Sequence, residues 1–426
     1  MKAVVLAAGE GVRLRPLTFT RPKHLIHIGG KPLLEHLLAS VRASGINEAL
    51  IVVHYMAERF KQYLGDGSKF GMKLEYVFQE GVRGTADAIG VAESHVRDED
   101  FLLIYGDLLV TPDVVKVVLR SHEEEKPAAT MTVVPVTHPE RYGIVKLEGS
   151  NVTEIVEKPQ LGEAPTNLAN AGIYVFSSEI FERIRQTHPS QRGEWEITDS
   201  LSLLMREKKP IMGVQISSDE WLDVGRPWDL FEANQRILSQ IEPAINGIIE
   251  DGAHLIGSVV VAKGARVRSG AYIEGPAFID EDSDIGPNCF IRPCTSIGKD
   301  VKIGNACEIK NSIVMDHTQI RHLSYVGDSI IGEHCNLGAG TVVANYRLDG
   351  KTIKMLIKGE VVDSERTKLG VVLGDHVKTG INTLFMPGVK IGQNSWIGPN
   401  VVVHRDVPSN TVLILQQKVE RRKPSD

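Results

Sequence analysis

The chain has 426 residues, 24% of them charged and 42% hydrophobic, a balance that suits a globular protein of two or three domains. A formal charge of −6 argues against a general binder of nucleic acid or acidic membrane, although a local basic pocket for phosphorylated small molecules remains open. No stretch approaches the roughly 20 apolar residues of a membrane span, and the apolar run in "MKAVVLAAGEG" is too short for a secretory signal, so a cytoplasmic protein is expected.

In chain order, "AVVLAA" (3–8), "EALIVV" (48–53), "LEYVF" (74–78), "FLLIYGD" (101–107) and "AATMTVVPV" (128–136) read as strands. Between the first two, "KPLLEHLLASVRASG" (31–45) carries apolar residues at helical spacing and stops at a glycine. Alternating strand and helix predict a mainly parallel, doubly wound α/β domain over residues 1–235, with a connecting helix or linker over 236–250.

From about residue 251 the period becomes six. Val261, Val267, Ile273, Ile279, Ile285, Ile291, Ile297, Ile303 and Ile309 follow one another without a miss. Small residues sit four positions after the first eight, and the rhythm resumes at Leu373, Thr379, Phe385, Ile391, Ile397 and Val403. A hexapeptide period predicts a parallel β-helix over 251–408, interrupted by a non-repeating insertion at 347–368 and followed by a tail at 409–426. Three of the four cysteines, Cys289, Cys307 and Cys335, take the small inward position, and Cys294 does not. No CxxC pair suggests zinc, so all four are expected to be buried free thiols of a reducing compartment. At "IRHLSYVGDS" (320–329) the rhythm slips and polar side chains appear.

The candidate chemistry of the first half begins in "LAAGEGVRLRPLTFTRPKHL" (6–25). Gly9 and Gly11 would let backbone N–H groups approach a phosphate, or simply make a tight turn, and Arg13 and Lys23 could neutralise a triphosphate. Gly-Lys-Ser/Thr is absent, and Leu14 stands where the dinucleotide fingerprint has its third glycine. Asp107 and Asp223 each end an apolar strand. They could hold Mg²⁺ at the carboxyl edge of the sheet, or only cap the following turn.

Taken with "GTADA" (84–88), "YGD" (105–107), "EKP" (157–159), "NAGIY" (170–174), "RGEWEITD" (192–199) and "WLDVGRP" (221–227), this segment resembles sugar-1-phosphate nucleotidylyltransferases across residues 1–235. The resemblance implies attack of a sugar phosphate on the α-phosphate of a nucleoside triphosphate, a reaction of charge neutralisation and alignment. Arg13 and Lys23 would be catalytic, binding the nucleotide with Leu6, Ala7, Ala8, Gly9, Gly11, Gln79, Gly84, Thr85, Tyr105, Gly106 and Asp107. Gly143, Glu157, Lys158, Asn170 and Arg192 would bind the sugar phosphate, and Asp107 and Asp223 the Mg²⁺. Relatives with a β-helix commonly have asparagine at the second metal position. Asp223, as in thymidylyltransferases, leaves UTP and dTTP both open.

Two kinds of β-helix follow such domains, a regulatory or assembly module and an acetyl-CoA-dependent acetyltransferase. "HLSYVGDSIIGEHCNLGAGTVVANYR" (322–347), with "IRP" (291–293) and "CEIK" (307–310), resembles the acetyltransferase half of the bifunctional GlmU-like enzymes, including the archaeal branch. The resemblance implies left-handed coils, a homotrimer and acetyl-CoA as cosubstrate. His322 would be the general base, since an imidazole titrating near ~6.5 suits deprotonation of an amine. Arg292, Lys310, Tyr325 and Asn336 would bind the amino-sugar phosphate, and Ala339, Asn345, Tyr346 and Gly380 the acetyl-CoA side. Ile381 and Pro399 depart from the serine and the small residue usual there. Lys351 and Lys354 lie in the insertion, expected to fold over a neighbouring subunit. The basic "KVERRKP" (418–424) reads as a solvated tail or a contact for coenzyme phosphate.

Overall fold

The computed structural model describes residues 1–96, 99–190 and 192–422. Contacts divide the chain into two compact units, one of residues 1–11, 21–26 and 31–225, the other of 12–20, 27–30 and 226 onward.

The first unit is built on a nine-stranded sheet. In sheet order the strands are Lys73–Phe78, Glu48–Val53, Lys2–Ala7, Phe101–Tyr105, Leu168–Phe176, Ala129–Pro135, Ile211–Gln215, Asn151–Glu157 and Gly143–Glu148. The first four are parallel, and Leu168–Phe176 runs antiparallel to both its neighbours. The central strands are apolar on both sides because each face is covered. Val5, Ile51 and Ile104 enter one core with Leu34, Leu37 and Val41, while Val4, Leu50 and Leu103 enter another with Ile89 and Leu201. Helix Leu33–Ala43 follows Pro32 and stops before Gly45, whose φ of 100° no helix continues. This is the doubly wound arrangement that the alternating pattern predicts.

The second unit is a parallel β-helix of three sheets whose strands are two to four residues long. One interior column runs Val261, Ile279, Ile297, Val314, Ile331, Leu373 and Ile391. The other two pass through Ile303 and Ile309, and all three line a single core. The slip in the rhythm now has a location. The steps from Ile309 to Val314 and from Val326 to Ile331 take five residues instead of six, at the same corner of successive coils. Inside that corner Ser312 Oγ donates to the Lys310 carbonyl at 2.7 Å and accepts from Ser329 N–H at 3.1 Å. Four cysteines are free, with Cys289, Cys307 and Cys335 buried, and burial pushes the Cys289 thiol up to about 12.

Three boundaries differ from the sequence reading. Helix Pro227–Leu238 belongs with the β-helix rather than with residues 31–225. Its Asn234 donates to the Cys294 carbonyl at 3.0 Å and accepts from the backbone N–H of Gly29 at 2.9 Å. The coils begin at Ala244–Ile245 and Ile248–Ile249, which pair with the strands ending at Val261 and Val267, so little of 236–250 is linker. They end at Val412–Leu413, which pairs with Trp396–Ile397 inside the expected tail. The insertion makes a hairpin, Lys354–Ile357 with Glu360–Asp363, turned by Lys358 and Gly359 at positive φ. It folds back on its own coil: a Cβ at Gly388 would come within 2.7 Å of Ile353, and Met355 and Ile357 are buried. Part of "KVERRKP", residues 423 and 424, lies outside the described residues. Among the described residues no helix is long and apolar enough to cross a membrane.

Because Ile303 is fully enclosed between coils, Ile303→Ala should destabilise the β-helix by about 3 kcal/mol, the cost of removing a buried aliphatic side chain and leaving its cavity. Calorimetric unfolding of the two proteins measures this, and a change below the usual surface range of about 0.5 kcal/mol would contradict the interior column.

Candidate active sites

In the first unit the strand Phe101–Tyr105 leads directly into Gly106 and Asp107. A side chain at Gly106 would come within 2.7 Å of the Leu6 carbonyl oxygen and 3.0 Å of the His24 ring, so glycine is required. Lys23, in the short turn Lys23–Leu25, forms an ion pair with Asp107. Strand Trp221–Asp223 pairs antiparallel with Leu108–Val110, which sets Asp223 opposite Leu108, and the Val224 N–H donates to the Asp107 carbonyl at 3.0 Å. The tertiary structure thus brings together Gly9, Lys23, Asp107 and Asp223 in one unit, whereas Arg13, in the turn Val12–Leu14, groups with the second. Among the described residues no three His, Cys, Asp or Glu side chains form a ready cage. Asp107 precedes the strand Leu108–Val110 and Asp223 ends the strand paired with it, and carboxylate oxygens of this kind suit a hard cation that keeps water and phosphate ligands.

Gly84 starts the helix Thr85–Gly90 at φ 129°, and a Cβ there would lie 2.4 Å from the Trp195 carbonyl oxygen. Trp195 N–H donates to the Arg83 carbonyl at 2.8 Å, and Thr85 Oγ1 accepts the Ile197 N–H at 2.9 Å. These bonds tie "GTADA" to "RGEWEITD", segments more than a hundred residues apart. Gln79 is buried, and its Nε2 donates to Asp87 at 2.6 Å.

That latch borders a charged pocket. A Cβ at Gly143 would sit 2.8 Å from the Glu157 carboxylate, and Arg192 Nη1 reaches Glu157 at 3.4 Å and Glu196 at 3.0 Å. Lys158 Nζ lies 3.8 Å from Glu157, and Asn170 donates to the Tyr174 hydroxyl. The pocket continues into a cavity of about 600 Å³ lined by Ser190, Arg192, Ser202 and Arg206. Sequence reasoning missed Glu196, Tyr174 and Thr198 here, although all three lie inside its quoted motifs. It missed also His24, beside the Lys23–Asp107 pair, which burial and then the Lys23 charge push down to about 3.

In the second unit His322 ends the strand Gln319–His322, opposite Asn305, and is exposed on a turn. Ala339 and Gly380 occupy the same corner in the following coils; Asn382 N–H donates to the Ala339 carbonyl at 2.8 Å, and a Cβ at Gly380 would lie 2.5 Å from Pro399 N. At the far end of the third sheet a second group assembles. Arg292 Nη1 pairs with Glu308 at 2.9 Å, Lys310 Nζ with Asp328 at 3.1 Å, and Asn345 Nδ2 donates to Tyr325 Oη at 3.1 Å. Burial, more than any charge, raises the Tyr325 phenol. Asn336 stands on a different sheet, opposite Gln319 and Lys378, and exposed Tyr346 opens the insertion with a bridge to Lys368.

Residues 2–240 match the nucleotidyl transferase family, 273–384 the GMPPB C-terminal domain, and 370–405 the bacterial transferase hexapeptide (six repeats). The bifunctional protein GlmU of Methanocaldococcus jannaschii is 43% identical, over 99% of this chain and 100% of its own. The chain belongs to the bifunctional GlmU family. It is therefore both a nucleotidyltransferase and an acetyltransferase. A Sulfurisphaera tokodaii relative described as a bifunctional sugar-1-phosphate nucleotidylyltransferase/acetyltransferase is 39% identical, over 96% of this chain and 98% of its own. A crystal structure of a glucose-1-phosphate thymidylyltransferase from Bacillus anthracis superposes with a TM-score of 0.52 at 29% identity, covering 57% of this chain and 98% of that one.

Glu196 carries a pH signature. Burial, and then repulsion from Glu157, push its carboxyl from 4.5 up to about 7 against the pull of Arg192. The folded chain holds this proton more tightly than the unfolded one, so stability from this group falls as pH rises from about 4.5 to about 7. Glu196→Gln should be nearly neutral at pH 5 and raise the melting temperature at pH 8. Thermal scans at the two pH values check the sign.

Proposed function

We propose that this GlmU-family enzyme acetylates glucosamine 1-phosphate with acetyl-CoA and then transfers a uridylyl group from UTP to the N-acetylated product. Thymidylyl transfer from dTTP is a second reading, favoured by Asp223 at the second metal position. Glucose 1-phosphate and galactosamine 1-phosphate are further candidate substrates. The carrying observation is the corner where Arg292, Lys310, Tyr325 and Asn345 meet, since a purely regulatory β-helix needs no such group.

In the first unit Gly9, Gly11 and Lys23 would hold the triphosphate, with Gln79, Gly84 and Thr85 at the base. Asp107 and Asp223 would hold Mg²⁺, which neutralises charge on the phosphates when bound. Lys23 pairs with Asp107 in this structure and is within reach to exchange that carboxylate for a phosphate oxygen. Gly143, Glu157 and Asn170 would bind sugar hydroxyls, while Lys158 and Arg192 would meet the sugar phosphate. In the second unit Arg292 and Lys310 would clamp the amino-sugar phosphate, Tyr325 and Asn336 the ring, and His322 would take the proton from the amine. Ala339, Tyr346 and Gly380 would lie along the coenzyme. His322 and Asn336 stand apart from the clamp within one chain, which supports a homotrimer whose sites are completed between subunits; light scattering should give three chains.

Paired assays test the division of labour. Asp107→Asn should lower Mg²⁺-dependent nucleotidyl transfer by roughly a hundredfold or more, the scale of losing one preorganised charge-stabilising contact, with acetyl transfer intact.

His322→Ala should do the reverse, abolishing thioester cleavage with glucosamine 1-phosphate while nucleotidyl transfer to N-acetylglucosamine 1-phosphate stays near wild type. Wild-type protein that shows no thioester cleavage with any amino-sugar phosphate would leave the β-helix a regulatory module.

A further inference from the structure

We propose that Asp328 is a positioning residue for acetyl transfer, one that sets which end of the Asn345 amide faces the substrate. The inference rests on acetyl transfer taking place at this corner. Asp328 is 4% exposed, and it sits at φ 50° in the second of the two five-residue steps. The left-handed turn there is the one the chain makes at its other corners too, as at Asp300, Ala306 and His317, and the carboxylate lies among three donors. Lys310 Nζ reaches it at 3.1 Å, Asn311 Nδ2 at 2.7 Å and Asn345 Nδ2 at 2.5 Å. The same residue ties down both ends of the insertion. Its side chain holds Asn345 where the insertion leaves the coil, and its carbonyl accepts the Gly370 N–H at 2.7 Å where the chain returns.

A carboxylate surrounded by Lys310, Asn311 and Asn345 accepts hydrogen bonds and donates none. The Asn345 Nδ2 is committed to Asp328 and, at 3.1 Å, to Tyr325 Oη. Turning this amide over would press Oδ1 against a buried negative oxygen, so the amide is locked with nitrogen toward Asp328. Its carbonyl oxygen is thereby the end available to a ligand, and an oxygen accepts an N–H. An amine nucleophile bound through one N–H to that oxygen has its lone pair directed elsewhere, which is the orientation that attack on a thioester carbon requires. Gly327 keeps the arrangement compact, because a Cβ there would come within 2.4 Å of Tyr325 Oη and 2.7 Å of Asn345 Nδ2.

The test uses the full-length protein. Asp328→Asn preserves shape but offers its own NH₂ to Asn345 and permits the flip. We expect acetyl-transfer kcat with glucosamine 1-phosphate to fall about 10- to 100-fold, the range of losing one charge-assisted hydrogen bond. KM for acetyl-CoA and nucleotidyl transfer should stay near wild type, while the melting temperature falls because Lys310 loses its buried partner. The exchanged pair Asp328→Asn with Asn345→Asp sets the amide donor at 328 against a group at 345 that presents only oxygens, and should recover at least threefold of the lost kcat. The proposal is overturned if Asp328→Asn keeps kcat within twofold of wild type. It is equally overturned if kcat and melting temperature fall together and the exchanged pair recovers only the melting temperature. Wild-type protein inactive in acetyl transfer would instead remove the reading on which the proposal stands.

Discussion

Each coil of the β-helix is hydrogen-bonded to the coils before and after it, so the cross-section is passed from coil to coil. The columns of Val267, Ile285, Ile303, Ile320 and Leu337 and of their counterparts on the other two sheets enforce this inheritance. At one corner two successive coils each drop a residue, after Ile309 and after Val326, so that the shortened steps lie over each other. Inside, that corner holds the hydroxyls of Ser312 and Ser329. Outside, it gathers Lys310, Asp328 and Asn345 from three coils.

The nucleotidyl-transfer unit solves a similar problem with a different device. Its central parallel strands are committed to apolar contacts on both faces, so in Lys2–Ala7, Glu48–Val53 and Phe101–Tyr105 charged residues appear only at the strand ends. Asp107 follows one strand directly and Asp223 closes another, while Lys23 arrives on a short turn between elements. In the charged pocket two carboxylates, Glu157 and Glu196, share Arg192, and their mutual repulsion is tolerated because the guanidinium bridges them. Burial of Glu196 there raises its affinity for a proton, a frequent property of groups held ready for a ligand.

The two units also differ in how they place residues far apart in sequence. In the sheet, "GTADA" and "RGEWEITD" are joined by loop-to-loop backbone bonds through Trp195, which only long-range folding can form. In the β-helix, neighbours in space are about one coil apart in sequence, and Arg292 and Glu308 meet simply because the coil returns.

That difference explains what the sequence by itself determined. Period six identified the β-helix and its inward residues, because stacking demands an aliphatic side chain at every sixth position whatever lies outside. Apolar strands alternating with amphipathic helix identified the doubly wound domain, and motif order identified the family. The sequence did not reveal that helix Pro227–Leu238 groups with the coils, since the choice rests on Asn234 finding partners at Gly29 and Cys294. Nor did it reveal Glu196, whose neighbour Glu157 is brought beside it by sheet order, or Asp328, whose position depends on two five-residue steps lying over each other. Periodicity is a property of a local window of residues. The pairing of buried charges is decided by which windows the tertiary structure sets side by side.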